Sequence, residues 1–257
     1  MLRSQAVSGD TVIERRPFRE LPSHDLDWLR ARHHFGEFDG GGQMERLWGC
    51  VRVLNDEEIA PNTGFAMQAD ANVEIVTYVR GGAITHRDSL GNDGRVDMGS
   101  VQVVSAGLGI KHAEYNLEST PARIFRILLE PDDVGGSPCW GVQPTALEAR
   151  AGRFVPIASS FPGDHDALPI RARARVLNAK LKSGDAAHYT LQAPRQAYLI
   201  SSSGVVDVNG VRIHERDGAA ISDVTALVVT AVENADILMI DLLSNHWKSD
   251  FAGELNG

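Results

Sequence analysis

Cysteines are scarce in this chain of 257 residues, and it has no long apolar run. The two cysteines, Cys50 and Cys139, are too few for a disulfide framework and predict free thiols in a reducing compartment. No stretch approaches the roughly 20 apolar residues of a membrane span. The opening MLRSQAVSGDTVIERR lacks the apolar region of a signal peptide. We therefore expect a cytoplasmic protein with no membrane partner.

An excess of positive charge is also lacking. The chain carries 25 basic and 34 acidic residues, for a formal charge of −9. A protein that binds phosphate backbones without specificity needs a basic surface, so we expect no direct nucleic-acid binding. The charge leaves a protein partner open, and we expect a monomer.

Helical signals are sparse. The segment SHDLDWLRARHHF could form one short helix, with Ser23 as its N-cap. Elsewhere, short runs rich in valine, isoleucine and leucine alternate with glycine, asparagine, aspartate and proline. Many short strands joined by regular turns predict an all-β sandwich or barrel.

The two halves of the chain resemble each other weakly. GFAMQAD, which starts at Gly64, and GDAAHYT, which starts at Gly184, are each followed by an apolar strand and a glycine turn. This similarity favours a duplicated β-barrel, although chance similarity between short β segments remains an alternative. We place an N-terminal barrel at residues 1–140 and a C-terminal barrel without a metal motif at 141–257.

Polar side chains with regular spacing mark the first half. Gln68, Asp70 and Glu74 stand at even positions of GFAMQADANVEIVTYVRGG, and strand alternation predicts that they share one face. His112 and Glu114 follow in GIKHAEYN, again two residues apart. Side chains at i and i+2 of a barrel strand project together into the barrel. The spacing matches the cupin pattern, whose first motif normally reads HxHx3Ex6G.

The resemblance is to the pirin family in particular, through ARHHFGEFD, VRVLNDEEIAP, VEIVTYVRGGAITHRDSLGN and SAGLGIKHAEYN. It covers roughly residues 12–245 and implies an all-β bicupin, two tandem cupin barrels of the double-stranded β-helix or jelly-roll type. It also implies one iron-type metal in the N-terminal barrel, held by three histidines and one glutamate. Several members of that family are quercetin 2,3-dioxygenases, and others are transcriptional coregulators.

This sequence matches the ligand set of the family only in part. His112 and Glu114 stand where the family has its second-motif ligands, while Gln68 and Asp70 replace the two first-motif histidines. We predict Gln68, Asp70, His112 and Glu114 as the candidate metal ligands, with Glu114 also the candidate catalytic base. This oxygen-rich set favours harder ions than iron. The sequence leaves open one divalent metal (Fe, Mn or another) or none.

Four further histidines are alternatives for the missing ligands. If Gly81 and Gly82 form a two-residue hairpin turn, Thr77 pairs with His86, and His86 should point away from the metal face. His33 and its neighbour His34 are expected to be structural or to lie near the barrel mouth. His188 stands at the first-motif position of the second barrel, where no second-motif histidine accompanies it.

Three functions follow from this altered motif. The favoured one is a non-catalytic small-molecule-binding or regulatory homologue whose metal site is weak or absent for iron. Its ligand would be a flavonol or another aromatic molecule. The alternative is a metal-dependent dioxygenase of the quercetin 2,3-dioxygenase type. A third is a different metal-dependent reaction, because cupins host many chemistries on one fold.

Overall fold

The computed structural model describes residues 12–36, 48–144 and 150–244, and these ranges contain 22 strands and one 3-10 turn, Phe18–Glu20. The N-terminal half forms a seven-stranded and a four-stranded sheet. In spatial order, the first contains β12 (Cys139–Pro144), β9 (Ser100–Ser105), β6 (Glu74–Gly81), β11 (Ala122–Leu129), β4 (Val51–Ile59), β3 (Leu29–Phe35) and β2 (Ser23–Asp25). The second contains β5 (Thr63–Asp70), β10 (Ile110–Asn116), β7 (Ala83–Asp88) and β8 (Asp93–Asp97).

The C-terminal half repeats this division into seven and four strands. Its larger sheet contains, in spatial order, β1 (Val12–Arg16), β20 (Gly218–Ser222), β17 (Arg195–Ser203), β22 (Ala235–Leu243), β15 (Ala174–Leu181), β13 (Val155–Ser159) and β14 (Leu168–Pro169). Its smaller sheet contains β16 (Ala186–Thr190), β21 (Ala226–Ala231), β18 (Val206–Val208) and β19 (Val211–Ile213). The predicted all-β fold with two tandem barrels is confirmed.

The first described strand belongs to the second half. β1 pairs antiparallel with β20, from Val12 opposite Ser222 to Arg16 opposite Gly218. The predicted boundary between residues 140 and 141 falls inside β12, which pairs with β9 of the N-terminal sheet. The boundary itself stays a prediction.

The two seven-stranded sheets share one apolar core. Phe125 and Ile127 of the N-terminal half belong to the same cluster of buried side chains as Val176 and Ile240 of the C-terminal half. Separate clusters fill the interior of each barrel. The barrels therefore contact each other through their larger sheets, which leaves the smaller sheets at the outer sides.

Two local predictions are wrong. Ser23 begins strand β2, and β3 covers much of the segment expected to be helical, because its residues pair with β2 and β4. Glu74 does not share a face with Gln68 and Asp70, because β5 ends at Asp70 and Glu74 begins β6 in the other sheet.

Both cysteines are free, Cys50 half-buried and Cys139 exposed. Burial raises the pKa of the Cys50 thiol to about 12. None of the helices among the described residues has the length and apolar character needed to cross a membrane.

Candidate metal centre of the N-terminal barrel

Strand β10 contributes two residues of the site, His112 and Glu114. Its neighbour β7 places His86 directly opposite Glu114, and directly opposed residues of antiparallel strands project from the same face. His112 lies two residues before Glu114 and therefore shares this face. All three side chains are buried, and each offers one ligand atom within 4.8 Å of the other two. His86, His112 and Glu114 thus form a cluster that could hold a metal ion.

The prediction that His86 points away from the metal face is wrong. It assumed that β6 and β7 form a hairpin through Gly81 and Gly82. Instead, β6 pairs with β9 and β11, while β7 pairs with β10 and β8. Gly82, with a φ of +69°, carries the chain from one sheet to the other, and its left-handed backbone suits glycine. The register of β7 against β10 then turns His86 toward Glu114.

Gln68 and Asp70, which stand in place of the first-motif histidines, lie at the edge of this cluster. Gln68 is exposed and stands opposite His112 in the pairing of β5 with β10. Asp70 is half-buried, and its Oδ2 lies 2.9 Å from His112 Nε2. Asp70 therefore already bonds a predicted ligand, whereas the cluster unites His112 and Glu114 with His86. Ligand roles for Gln68 and Asp70 stay predictions.

Glu114 already has a positively charged partner. Arg126 Nη1 lies 2.5 Å from Glu114 Oε2, and Arg126 Nε donates to Glu57 Oε2 at 3.0 Å. Burial alone would lower the pKa of the Arg126 guanidinium, but the carboxylates of Glu114 and Glu57 raise it overall. Gln102 Nε2 donates a hydrogen bond to Glu114 Oε1. One carboxylate oxygen of Glu114 therefore accepts a hydrogen bond, and the other lies in an ion pair.

The ion pair belongs to a longer buried network. Trp140 Nε1 donates to Gln102 Oε1 at 3.0 Å, which orients the amide that bonds Glu114. At the other end, Asn55 Nδ2 donates to Glu57 Oε1 at 3.1 Å, and His33 Nδ1 hydrogen-bonds with Asn55 Oδ1 at 2.8 Å. His33 therefore acts through this network, in agreement with its expected structural role. Such chains of hydrogen bonds fix the positions of buried polar side chains.

Aromatic packing holds the second imidazole in place. The His86 ring stacks on Trp140 with 4.8 Å between centroids and an interplanar angle of 4°. His86 Nε2 lies 3.0 Å from Asp88 Oδ2. Burial alone would raise the pKa of Asp88, but hydrogen bonds from Asn92 and His86 bring it below its usual value. Among the described residues, nothing hydrogen-bonds to the buried Nδ1 atoms of His86 and His112.

The comparisons with known proteins agree with this architecture. The Pirin family model matches residues 14–128, and the model described as the quercetinase C-terminal cupin domain matches residues 157–242. A pirin-like protein of Caulobacter vibrioides is 51% identical over 230 residues, which cover 90% of this chain and 99% of that protein. The chain belongs to the pirin family.

Two similar proteins come from Escherichia coli. The quercetin 2,3-dioxygenase of strain K12 is 29% identical over 233 residues, covering 90% of this pirin and 99% of that enzyme. The crystal structure of the bacterial pirin YhhW in complex with nickel(II) has a TM-score of 0.81 and 27% identity. The match covers 91% of this pirin and 100% of that chain. The predicted bicupin fold is confirmed.

The donor set of this pirin fits a metal only in part. Two imidazoles and a carboxylate match the ligands used by many divalent transition metals. However, only His112 and Glu114 match the ligand set that the family resemblance implies. In addition, Glu114 already forms an ion pair with Arg126. At about 4 Å and an effective dielectric constant of about 20, two like unit charges repel by about 4 kcal/mol. A divalent ion on Glu114 carries two charges and would meet a larger repulsion than this at the same distance from Arg126. Because two of the four family ligands are also replaced, the residues do not fit the iron site of the family.

The sequence contains a signal for a buried Arg126. In ARIFRILLEP, Arg126 interrupts an apolar strand at a position where alternation places it on the same face as Ile124. A charged residue in such a run is rarely buried without a partner. Its partners were not predictable, because Glu57 lies on β4 and Glu114 on β10, in different sheets.

The second barrel has no comparable cluster in the described part of the chain. His188 is exposed on β16, opposite Val228 of β21. That this barrel lacks a metal stays a prediction.

Gly64, the first residue of GFAMQAD, sets the approach of β5 to the site. A Cβ atom there would lie 2.2 Å from the Glu114 carbonyl oxygen and 2.5 Å from Tyr115 Cα. Because backbone cannot yield easily, we expect Gly64→Ala to lower the free energy of unfolding by about 1–3 kcal/mol in urea titrations. Gly163→Ala is the control, since nothing lies within 4 Å of its Cβ position. Equal unfolding midpoints for the two variants would contradict this account.

Proposed function

We propose that this pirin is a non-catalytic homologue that binds a small molecule or acts in regulation, with an N-terminal metal site that is weak or absent for iron. One observation supports this proposal above all. The carboxylate of Glu114 is ion-paired with the buried guanidinium of Arg126, so the positive charge beside it comes from the protein. A flavonol or another aromatic molecule stays the proposed ligand class, and a protein partner stays open.

A second candidate function is a metal-dependent dioxygenase of the quercetin 2,3-dioxygenase type. The convergence of His86, His112 and Glu114 favours it, together with the name of the Escherichia coli relative. A bound metal would supply a Lewis acid for substrate oxygens and a centre for oxygen chemistry. Glu114 could act as ligand or base only after it separates from Arg126, because both of its oxygens have partners.

Metal content separates the two candidates. We expect the purified protein, incubated with Fe²⁺, Mn²⁺ or Ni²⁺ and desalted, to retain less than about one-tenth equivalent of metal, because each 1.4 kcal/mol of lost binding energy is about tenfold in affinity. It should also leave quercetin unchanged. Elemental analysis and the quercetin absorbance band measure these outcomes. Close to one equivalent of iron, with quercetin turnover, would establish the dioxygenase instead.

A reciprocal variant tests whether the altered residues cause the weak metal binding. We expect Gln68→His with Asp70→His and Arg126→Gln to gain about one equivalent of metal, because it supplies imidazoles and frees Glu114. The matched control changes Gln68 and Asp70 to asparagine in the same Arg126→Gln background. If both triple variants bind metal equally, the missing histidines do not explain the weak site.

A further inference from the structure

A cleft of about 770 Å³ lies between the two barrels, apart from the candidate metal centre. Tyr78, Arg80 and Ser100 line it from the N-terminal half, and Lys180 and Asp236 line it from the C-terminal half. Its volume falls within the range of small-molecule sites, roughly 300–1,000 Å³. Neither the comparisons nor the first motif assigns it a ligand.

The lining of this cleft has the opposite charge to the chain as a whole. The chain has a formal charge of −9, whereas the described residues that line the cleft include five cationic and two anionic side chains, a difference of +3. The cations are Arg80, Arg123, Arg150, Lys180 and Lys182, and the carboxylates are Glu215 and Asp236. A concave surface with an excess of one sign of charge attracts ligands of the other sign.

Arg150 has no ion pair with a carboxylate among the described residues. Its side chain is fully buried, and its Nη1 donates to two uncharged oxygens, Tyr78 Oη at 3.1 Å and Asn178 Oδ1 at 2.6 Å. Its Nε has no hydrogen-bond partner within the described residues. Arg126, by contrast, contacts two carboxylates. Asp236 accepts hydrogen bonds from the same Tyr78 and Asn178, so this carboxylate reaches Arg150 only through neutral groups. A buried charge without a directly bonded counter-charge is costly, so Arg150 suits an anion that enters from the cleft.

Other donors on the cleft wall are also available. Arg80 uses Nη2 for its ion pair with Asp56, while its buried Nε lacks a partner in the described ranges. Lys182 is exposed at the cleft, just beyond the end of β15. Two guanidinium groups and an ammonium group around one cavity match the oxygens of a phosphate or carboxylate group.

We propose that the cleft between the barrels binds a small organic anion through a phosphate or carboxylate group, with Arg150 at its base and Arg80 and Lys182 at its sides. The site is independent of the candidate metal centre, so the loss or presence of metal there does not decide it. Its position between the barrels would let the anion stabilise their contact, because a ligand that binds only the folded state stabilises that state.

Calorimetric titration with two probes tests the site and separates the two ligand chemistries. Pyrophosphate represents phosphates, and citrate represents carboxylates. We expect saturable binding of at least one probe at one site per chain, weakened by added sodium chloride because the contacts are charged. The tighter probe identifies the group that the site prefers. Absence of saturable binding for both probes would overturn the proposal.

Two variants locate the binding. Arg150→Met keeps the length of the side chain and removes its charge, and we expect at least about tenfold weaker binding. Because that variant could lose stability, Lys182→Glu gives a second test at an exposed residue. We expect Lys182→Glu to weaken binding of the probe by about three- to tenfold. Arg212→Glu on β19 is the matched control, since Arg212 is exposed and does not line the cleft. If Lys182→Glu and Arg212→Glu weaken binding of the probe equally, the probe is attracted by the overall charge of the protein. That result would overturn the proposed site.

Discussion

Replacing Arg126 by methionine is expected to lower the free energy of unfolding by about 3–5 kcal/mol. The guanidinium is buried, with 8% of the side chain exposed, and it contacts the buried carboxylates of Glu57 and Glu114. Methionine fills a similar volume but leaves both carboxylates without their charged partner. A buried charge that loses its partner keeps its full desolvation cost. Urea unfolding followed by circular dichroism measures the change.

An exposed arginine on the same strand provides the control for this prediction. Arg123 is 55% exposed and pairs with Glu58 at the surface, and Arg123→Met should change stability by less than about 1 kcal/mol. Adding Glu57→Gln and Glu114→Gln to Arg126→Met should recover much of the lost stability, because the unpaired charges are gone. If Arg126→Met and Arg123→Met lower the free energy of unfolding equally, Arg126 does not neutralise the buried carboxylates of the site.

Local spacing was sufficient to predict half of the candidate site. His112 and Glu114 stand two residues apart on one strand, and that spacing alone places both side chains on one face. The alternation of short apolar runs and turns was likewise sufficient for an all-β fold. These features depend on the geometry of single strands, which a sequence encodes directly.

The choice of neighbouring strand was not predictable in the same way. A Gly-Gly pair fits a two-residue hairpin and equally a crossing between sheets, and only the pairing of β7 with β10 brings His86 to Glu114. Glu74 shows the same limit. The turn after Asp70 carries the chain into the other sheet, where the buried Glu74 Oε1 accepts a hydrogen bond from Ser105 at 2.7 Å. Long-range strand pairing depends on the whole fold and not on the local pattern.

Acidification should destabilise this pirin through His34. The side chain is buried between the barrels, and its Nδ1 lies 2.9 Å from Tyr198 Oη. Burial lowers the pKa of His34 from 6.5 to about 4, although the nearby carboxylate of Asp56 acts in the opposite direction. Arg16 and Arg216 lower the pKa further. The imidazole is therefore neutral in the folded protein at neutral pH.

The sign of the effect follows from where the proton binds. Between pH 6.5 and about pH 4, the unfolded chain protonates this histidine while the folded protein does not. The stabilisation is thus complete above the unfolded pKa and is lost as the pH falls toward the folded pKa. A shift of this size corresponds to a loss of about 3.5 kcal/mol at most, since one pKa unit is worth about 1.4 kcal/mol.

A variant isolates this contribution from other titrating groups. Burial raises the pKa of Glu74, although a hydrogen bond from Ser105 acts against this. A carboxyl with a raised pKa favours the folded state at low pH, so Glu74 opposes His34 in the same window. The informative quantity is therefore the difference between wild type and His34→Gln in the urea midpoint at about pH 7 and about pH 4.5. We expect the variant to lose less stability on acidification, whereas the control His188→Gln, at an exposed residue, should follow wild type. Parallel pH profiles for all three proteins would mean that His34 accepts its proton in the folded state as readily as in the unfolded chain, and that the interface between the barrels admits a charge at this point.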